Sequence, residues 1–270
     1  MKILSKIYMG LIFLFLYAPI VVMIVFSFND SKSRSVWNGF TFGWYKKLLN
    51  DGSIIDALKT TLLVAIVASL VATVIGTLGA IGISAMKNKI RSLVMLATNI
   101  PMVNPEIVTG VSLMLLFVSV FGVLAKIGIE LEFGLLTLIL SHISFNIPYV
   151  ILSVLPKLRQ MNKHSYEAAL DLGCNPFKAF FKVVIPEIMP GIMTGMLMAF
   201  TLSLDDFVIS YCTSGTSAQT LSVLIYSMTR KNVSPKINAL SALMFVTVFI
   251  LMLIVNLRQM KDENKAGAKR

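Results

Sequence analysis

Three carboxylates, Glu106, Asp205 and Asp206, lie inside long apolar stretches that contain no lysine or arginine. A charge near the centre of a bilayer costs about 2.5–3.5 kcal/mol on insertion scales, so three of one sign without an internal counter-ion need a physical reason. A cation passing along them is one. Covalent chemistry is not supported by their surroundings: the chain has no G-x-S-x-G, no H-E-x-x-H and no G-x-x-x-x-G-K-[ST], so neither a nucleophile, a zinc site nor an ATP-phosphate cradle is assembled. No metal and no cofactor are expected in this chain.

The elements that carry these acids are hydrophobic. The chain is 56% hydrophobic and only 14% charged, with a mean hydropathy of +0.82. Soluble domains average about 25% charged, so this is an all-α polytopic membrane protein. Six segments are long enough to cross about 30 Å of hydrocarbon: Ile7 to Phe28, Thr60 to Met86, Leu93 to Phe121, Gly134 to Leu155, Ile188 to Cys212 and Ile237 to Leu257. Lys2 and Lys6 precede the first, as in a signal peptide, but its apolar run is too long and no small-residue cleavage site follows, so it is read as a span.

Glu106 falls in the third segment, about 20 Å along a helix from Leu93, and follows Pro101 and Asn104-Pro105, where the helix is expected to break. Two roles fit it. It lines a cation path, or Asn104 caps, Pro105 starts and Glu106 complements the positive end of a new helix. Asp205 and Asp206 lie about 25 Å after Ile188, toward the outer face, where they line the same path, form a gate or bond to a neighbouring membrane chain.

Orientation follows from the basic residues. Lys2, Lys6, Lys87, Lys89, Arg91, Lys157, Arg159, Lys163, Lys178, Lys182, Arg258, Lys261, Lys265, Lys269 and Arg270 fall on one side, 15 of the 24. Lys32, Arg34, Lys46, Lys47, Lys59, Lys126, Arg230, Lys231 and Lys236 fall on the other. The richer side is cytosolic, which places both termini and Ser165 inside and Asn232 outside. The net charge of +11 is spread over loops and tails without interleaved aromatics, so anionic lipid headgroups are the expected partner and nucleic acid is not. Cys174 and Cys212 then lie on opposite sides and are not expected to pair.

Phe40 to Leu49 combines aromatics with Lys46 and Lys47 and reads as a short helix at the outer interface. Its Trp44 is an anchor or, because a cation stacks on indole, a pathway residue. Ala65, Ser69, Ala72, Gly76 and Ala80 in the second segment, and Gly191 and Gly195 in the fifth, mark faces for close helix packing. His142 and Asn146 share one face of the fourth and read as interhelical hydrogen-bonding groups.

The cytosolic loop at about 160–184 has its own design. Glu167 to Leu172 are mostly helix formers, Gly173 is placed to end that helix in a left-handed turn, and Asn175-Pro176 supply a cap and first position for a second helix, Phe177 to Val184. Such a pair of short helices presents a rigid knob to a partner.

Glu167-Ala168-Ala169, then Gly173, then Val183, Ile185 and Pro186 resembles the signature of ABC importer permeases, which more often carry Ile and Leu at the two aliphatic positions. The resemblance implies the type I permease fold with a cytoplasmic coupling helix, in which Glu167, Ala168, Ala169, Asp171, Gly173 and Pro186 dock into an ATPase that holds the ATP and Mg. It also implies a multi-pass place in a bacterial cell membrane and three parts: residues 1–59, a permease core at 60–257 and a basic tail at 258–270. Further segments, Phe200 to Ser210, Ile225 to Met228 and Ser234 to Leu240, resemble the C-type permeases of spermidine/putrescine importers over essentially the whole chain. That narrower likeness implies a heterodimer with a B-type permease, an A-type ATPase dimer, an external D-type substrate-binding protein and a polyamine substrate. The path acids are then Glu106, Asp205 and Asp206, with Trp44. Ferric iron is the alternative cargo, since anions are disfavoured by the acids. A secondary transporter would have no use for the cytosolic knob, and a membrane enzyme lacks a reactive site.

Overall fold

The computed structural model describes residues 2–31, 36–231 and 235–267. Lys32, Arg34, Asn232, Ser234, Lys269 and Arg270, used above, lie outside the described residues. In chain order the helices are α1 (Lys2–Phe26), α2 (Gly43–Leu49), α3 (Gly52–Ala85), α4 (Asn88–Val103), α5 (Glu106–Ala125), α6 (Leu135–Gln160), α7 (Lys163–Asp171), α8 (Pro176–Ala179), α9 (Ile185–Asp205), α10 (Val208–Thr213), α11 (Leu221–Lys231) and α12 (Pro235–Gly267). A π-helical stretch, Phe180–Val184, joins α8 to α9. Among the described residues no strand is formed; one isolated bridge pairs Asn29 with Phe40.

Five stretches are long and apolar enough to cross a membrane: Ser5–Phe26, Gly52–Ala85, Glu106–Ala125, Leu135–Gln160 and Pro176–Asp205. The sixth expected span falls in α12, whose described apolar part, Pro235–Ile250, is shorter. Two expected spans are interrupted. The third, Leu93 to Phe121, is two helices, because Pro105 forces Asn104 into an extended conformation (φ −69°, ψ 141°) that α4 cannot continue. Asn104 therefore ends α4 and makes no side-chain cap on α5, a correction to the expected Asn104 cap. The fifth breaks at Asp206, where ψ turns to 127° before α10 begins.

The chain divides into two compact units, residues 1–57 with 221–270, and residues 58–220. In the first, α12 packs on α1 and α2. Its core holds Trp44, Leu48, Ile54, Ala57, Leu221, Leu224, Ala239 and Leu240. The expected interfacial helix is α2, but its tryptophan faces inward. Trp44 Nε1 donates to the Asn29 carbonyl at 2.8 Å, and the Lys47 ammonium lies 4.5 Å over the ring. A buried indole needs a partner for its N–H, and a backbone carbonyl supplies it here. Just before α3, the Asp51 carboxylate accepts from the Lys236 ammonium and from the Ser53 hydroxyl. These donors hold its carboxyl at about 2, below the usual 3.8. Stability from this pair is therefore present above about pH 4 and is lost as pH falls toward about 2.

In the second unit α6 is the most buried of the long apolar helices, and α9 lies along it. The close approach depends on glycine. A Cβ on Gly191 would meet the Ser153 carbonyl oxygen at 2.9 Å, and one on Gly195 the Val150 Cα at 3.1 Å. The small-residue face of α3 is buried as expected, with Ala65, Ala72 and Ala80 wholly enclosed. Two polar residues of α6 singled out above reach across: His142 Nε2 lies 3.1 Å from Ser210 Oγ, and Asn146 Nδ2 donates to Ser203 Oγ at 2.7 Å.

Candidate functional site

Glu106 is the first residue of α5, and Asp205 is the last of α9. These helix ends, with Asp206 and with Phe145 from α6, line an open pocket of about 210 Å³ that Leu202 and Phe207 complete. Three acids read separately from sequence thus share one pocket. Trp44 belongs to the other unit, with its ring and N–H engaged as described.

The acids differ in what they are already doing. Asp206 is 8% exposed. Its Oδ2 accepts the Ser210 N–H at 2.8 Å and its Oδ1 the Ile209 N–H at 3.4 Å, so it satisfies amides at the start of α10. Glu106 and Asp205 are exposed, and among the described residues neither forms an ion pair. Their helix ends are electrostatically opposite. Glu106 sits at the positive end of α5 and is stabilised there; Asp205 sits at the negative end of α9, which disfavours its charge and makes a cation beside it more welcome. Phe145 and Phe207 also line the pocket, so a charged nitrogen and an alkyl chain would both find a matching surface.

Sequence reasoning found the acids because charge in an apolar run stands out. It missed the walls, since Phe145, Leu202 and Phe207 look like any lipid-facing residue until the helix ends are placed. It also read His142 only as glue, although His142 Nε2 lies 3.6 Å from Asp206 Oδ2.

The knob at about 160–184 is built largely as its sequence requires. Asn162 Oδ1 accepts the His164 N–H at 3.1 Å and so caps α7. Gly173 adopts φ +81°, its N–H donates to the Leu170 carbonyl at 2.9 Å, and the Cys174 N–H donates to the Ala169 carbonyl at 3.0 Å. That pair of bonds is the Schellman termination. Asn175 Oδ1 then accepts the Phe177 N–H at 3.0 Å, with Pro176 at the first helical position. Glu167, Ala168, Asp171 and Gly173 are exposed, Ala169 partly so, and Leu172 and Phe177 are 87% and 72% exposed. Glu167 Oε2 lies 3.2 Å from His164 Nδ1.

One expectation is corrected. Phe177 to Val184 is not a separate second helix, because the π-helical stretch carries it into α9. Pro186, lacking an N–H and crowding the carbonyl one turn back, sits just past that stretch, and the widened turn takes the ring without ending the helix. The knob is therefore continuous with the helix that ends at Asp205. Glu187 Oε1 in its first turn also accepts the Asn162 N–H at 3.3 Å, a tie the sequence did not signal.

Residues 72–259 match the family described as "Binding-protein-dependent transport system inner membrane component". The chain is 40% identical over 241 residues to the putrescine transport system permease protein PotI of Escherichia coli K12, covering 88% of this chain and 84% of that one. It is 35% identical over 260 residues to the spermidine/putrescine transport system permease protein PotC of the same strain, covering 96% and 95%. Among solved structures, a bacterial ABC transporter involved in the import of the acidic polysaccharide alginate aligns with TM-score 0.74 at 18% identity, over 96% of this chain and 95% of that chain.

Proposed function

Because the chain belongs to the family of binding-protein-dependent transport system inner membrane components, we propose that it forms half of the polyamine route of an ATP-driven importer. It is a multi-pass inner-membrane transport subunit. Its cargo is a linear polyamine such as putrescine or spermidine, as with the two relatives named above. A second, B-type permease completes the route, an A-type ATPase dimer binds the knob and hydrolyses Mg-ATP, and a D-type protein delivers substrate from outside.

The observation that carries the cargo is the pocket that Glu106 and Asp205 line together with Phe145 and Phe207, with no basic partner for either acid among the described residues. The fold alone does not set cargo charge, since the similarly folded alginate transporter imports an acidic polymer. Carboxylates with aromatic walls suit an alkylammonium better than ferric iron. A compact hard cation needs several oxygens converging on one point, and among the described residues no group of three His, Cys, Asp or Glu is so placed.

The test is uptake. Proteoliposomes holding the whole importer and ATP are expected to accumulate labelled putrescine in the presence of the binding protein, and not ferric iron. Iron uptake without putrescine uptake would overturn the cargo.

Coupling is assigned to residues 160–184, with Glu167, Ala168, Ala169, Asp171 and Gly173 on the exposed knob and Pro186 where it joins α9. The basic-residue count supports a cytosolic knob. A single cysteine at Ser165, which is exposed on α7, is expected to react with an impermeant maleimide only from the cytosolic side of oriented vesicles. Reaction only from the outside would reverse the orientation.

A further inference from the structure

His142 is 1% exposed in the first half of α6, and its Nδ1 is buried without a hydrogen-bond partner. A buried ring nitrogen without a partner costs less as a bare lone pair than as an orphaned N–H, which assigns the proton to Nε2. That nitrogen faces Ser210 Oγ at 3.1 Å and Asp206 Oδ2 at 3.6 Å. Ser210 in turn donates its backbone N–H to the same Asp206 oxygen at 2.8 Å. Three side chains from α6, α10 and the break before α10 therefore converge on one point. One turn along α6, Asn146 donates to Ser203 on the final turns of α9, so both sides of the break are held from the same helix face.

The break is what brings Asp205 and Asp206 to the pocket with different duties. An unbroken helix would place them about 100° apart with similar surroundings. Here Asp206 is turned back onto the α10 amides and Asp205 is left at the helix end. A neutral donor from α6 is suited to hold this arrangement, because through Ser210 it fixes the buried carboxylate without cancelling its charge. A protonated or basic residue in its place would remove one negative charge from the pocket wall.

We propose that His142 is a positioning residue for the cation pocket: as a neutral donor it fixes Ser210 and, through the Ser210 N–H, Asp206, and so the break that presents Asp205. The proposal rests on the reading of the pocket as a polyamine site. Simple cohesion between α6 and α10 is the competing account, and the two differ in what they do to substrate affinity.

The complete importer, reconstituted with its ATPase and saturating binding protein, is the system to measure, with labelled putrescine as the probe. His142→Leu is expected to raise KM about tenfold with kcat within about twofold, because the lost hydrogen bond to Ser210 frees the turn whose amides hold Asp206. His142→Gln, whose amide nitrogen reaches near the Nε2 position, is expected to restore KM to within about threefold. In an Asp206→Asn background His142→Leu is expected to add nothing, as for two residues acting through one contact. If His142→Leu does not assemble, His142→Asn, whose amide stops short of that position, is the replacement and is expected to show the same rise in KM. Unchanged KM with reduced kcat or yield, failure of Gln to rescue, or full additivity with Asp206→Asn would each overturn the positioning role. Glu106→Gln and Asp205→Asn are measured alongside. If they too leave KM unchanged, the pocket reading itself fails; if they raise KM while the His142 variants do not, only the role of His142 fails.

Discussion

Glu106→Gln and Asp205→Asn are each expected to lower putrescine uptake efficiency by roughly tenfold to a hundredfold, with assembly of the importer unchanged. Each substitution preserves shape and removes a charge, and a hydrogen bond to a charged group is worth about 1.5–3 kcal/mol. Among the described residues neither carboxylate is engaged by a basic group, so neither loss leaves a described group newly unpaired. Asp206→Asn is expected to behave differently. Its oxygens accept the Ser210 and Ile209 N–H groups, and an amide can keep only part of that, so lower yield of assembled complex accompanies any change in transport. The measurement is initial uptake rate against substrate in proteoliposomes, normalised to assembled complex. Uptake by the Glu106 and Asp205 variants at the unmodified rate would show that these acids do not line the route. Loss of assembly in those two, with intact remaining complexes transporting normally, would make them structural instead.

This separation of Asp205 from Asp206 marks a limit of what the sequence shows. A charge in an apolar run is conspicuous, so all three acids were visible as a group. Adjacent residues of one type, however, are indistinguishable until the backbone turn at Asp206 is known, because ψ at that residue decides which carboxylate reaches the α10 amides. The α4–α5 break was legible from Pro101 and Asn104-Pro105, since proline chemistry is local. The duty of Asn104 was not, because a polar residue before a proline suits the end of one helix as well as the start of the next. The π-helical stretch was hidden for a similar reason: Pro186 announces a disturbance, and only tertiary packing decides whether the helix stops or widens. Helix contacts were legible where small residues repeat, as at Gly191 and Gly195, whose missing side chains admit α6. Trp44 was ambiguous because an indole suits an interface, a cation or a core equally, and the Asn29 carbonyl that engages it lies in a separate stretch of chain.

Gly173→Val is expected to abolish co-purification of the ATPase and to reduce uptake at least about tenfold, while the permease still folds and inserts. The turn at Gly173 has φ +81°, where a residue with a Cβ costs about 1–2 kcal/mol and a β-branched one more. A Cβ there would meet nothing within 4 Å, so the damage is conformational and not a collision. Relief of the strain requires giving up the bonds from Gly173 to Leu170 and from Cys174 to Ala169, which fix the exit from α7. Leu172 and Phe177, the most exposed apolar side chains of the knob, would then lose their fixed relation to Glu167 and Ala168. The core where α6 meets α9 shares none of these bonds, so insertion and stability of the spans are expected to be normal. Gly173→Asn supplies the control. Asparagine tolerates the left-handed region, so this variant is expected to retain the turn, the ATPase and most uptake, whereas Gly173→Ala should fall between the two. A graded series Asn, Ala, Val in pull-down and uptake would tie coupling to the backbone angle. Normal ATPase recovery by the Val variant would remove the knob from the coupling path, and equal loss in all three would point to a need for an absent side chain at the docking surface instead of a left-handed turn.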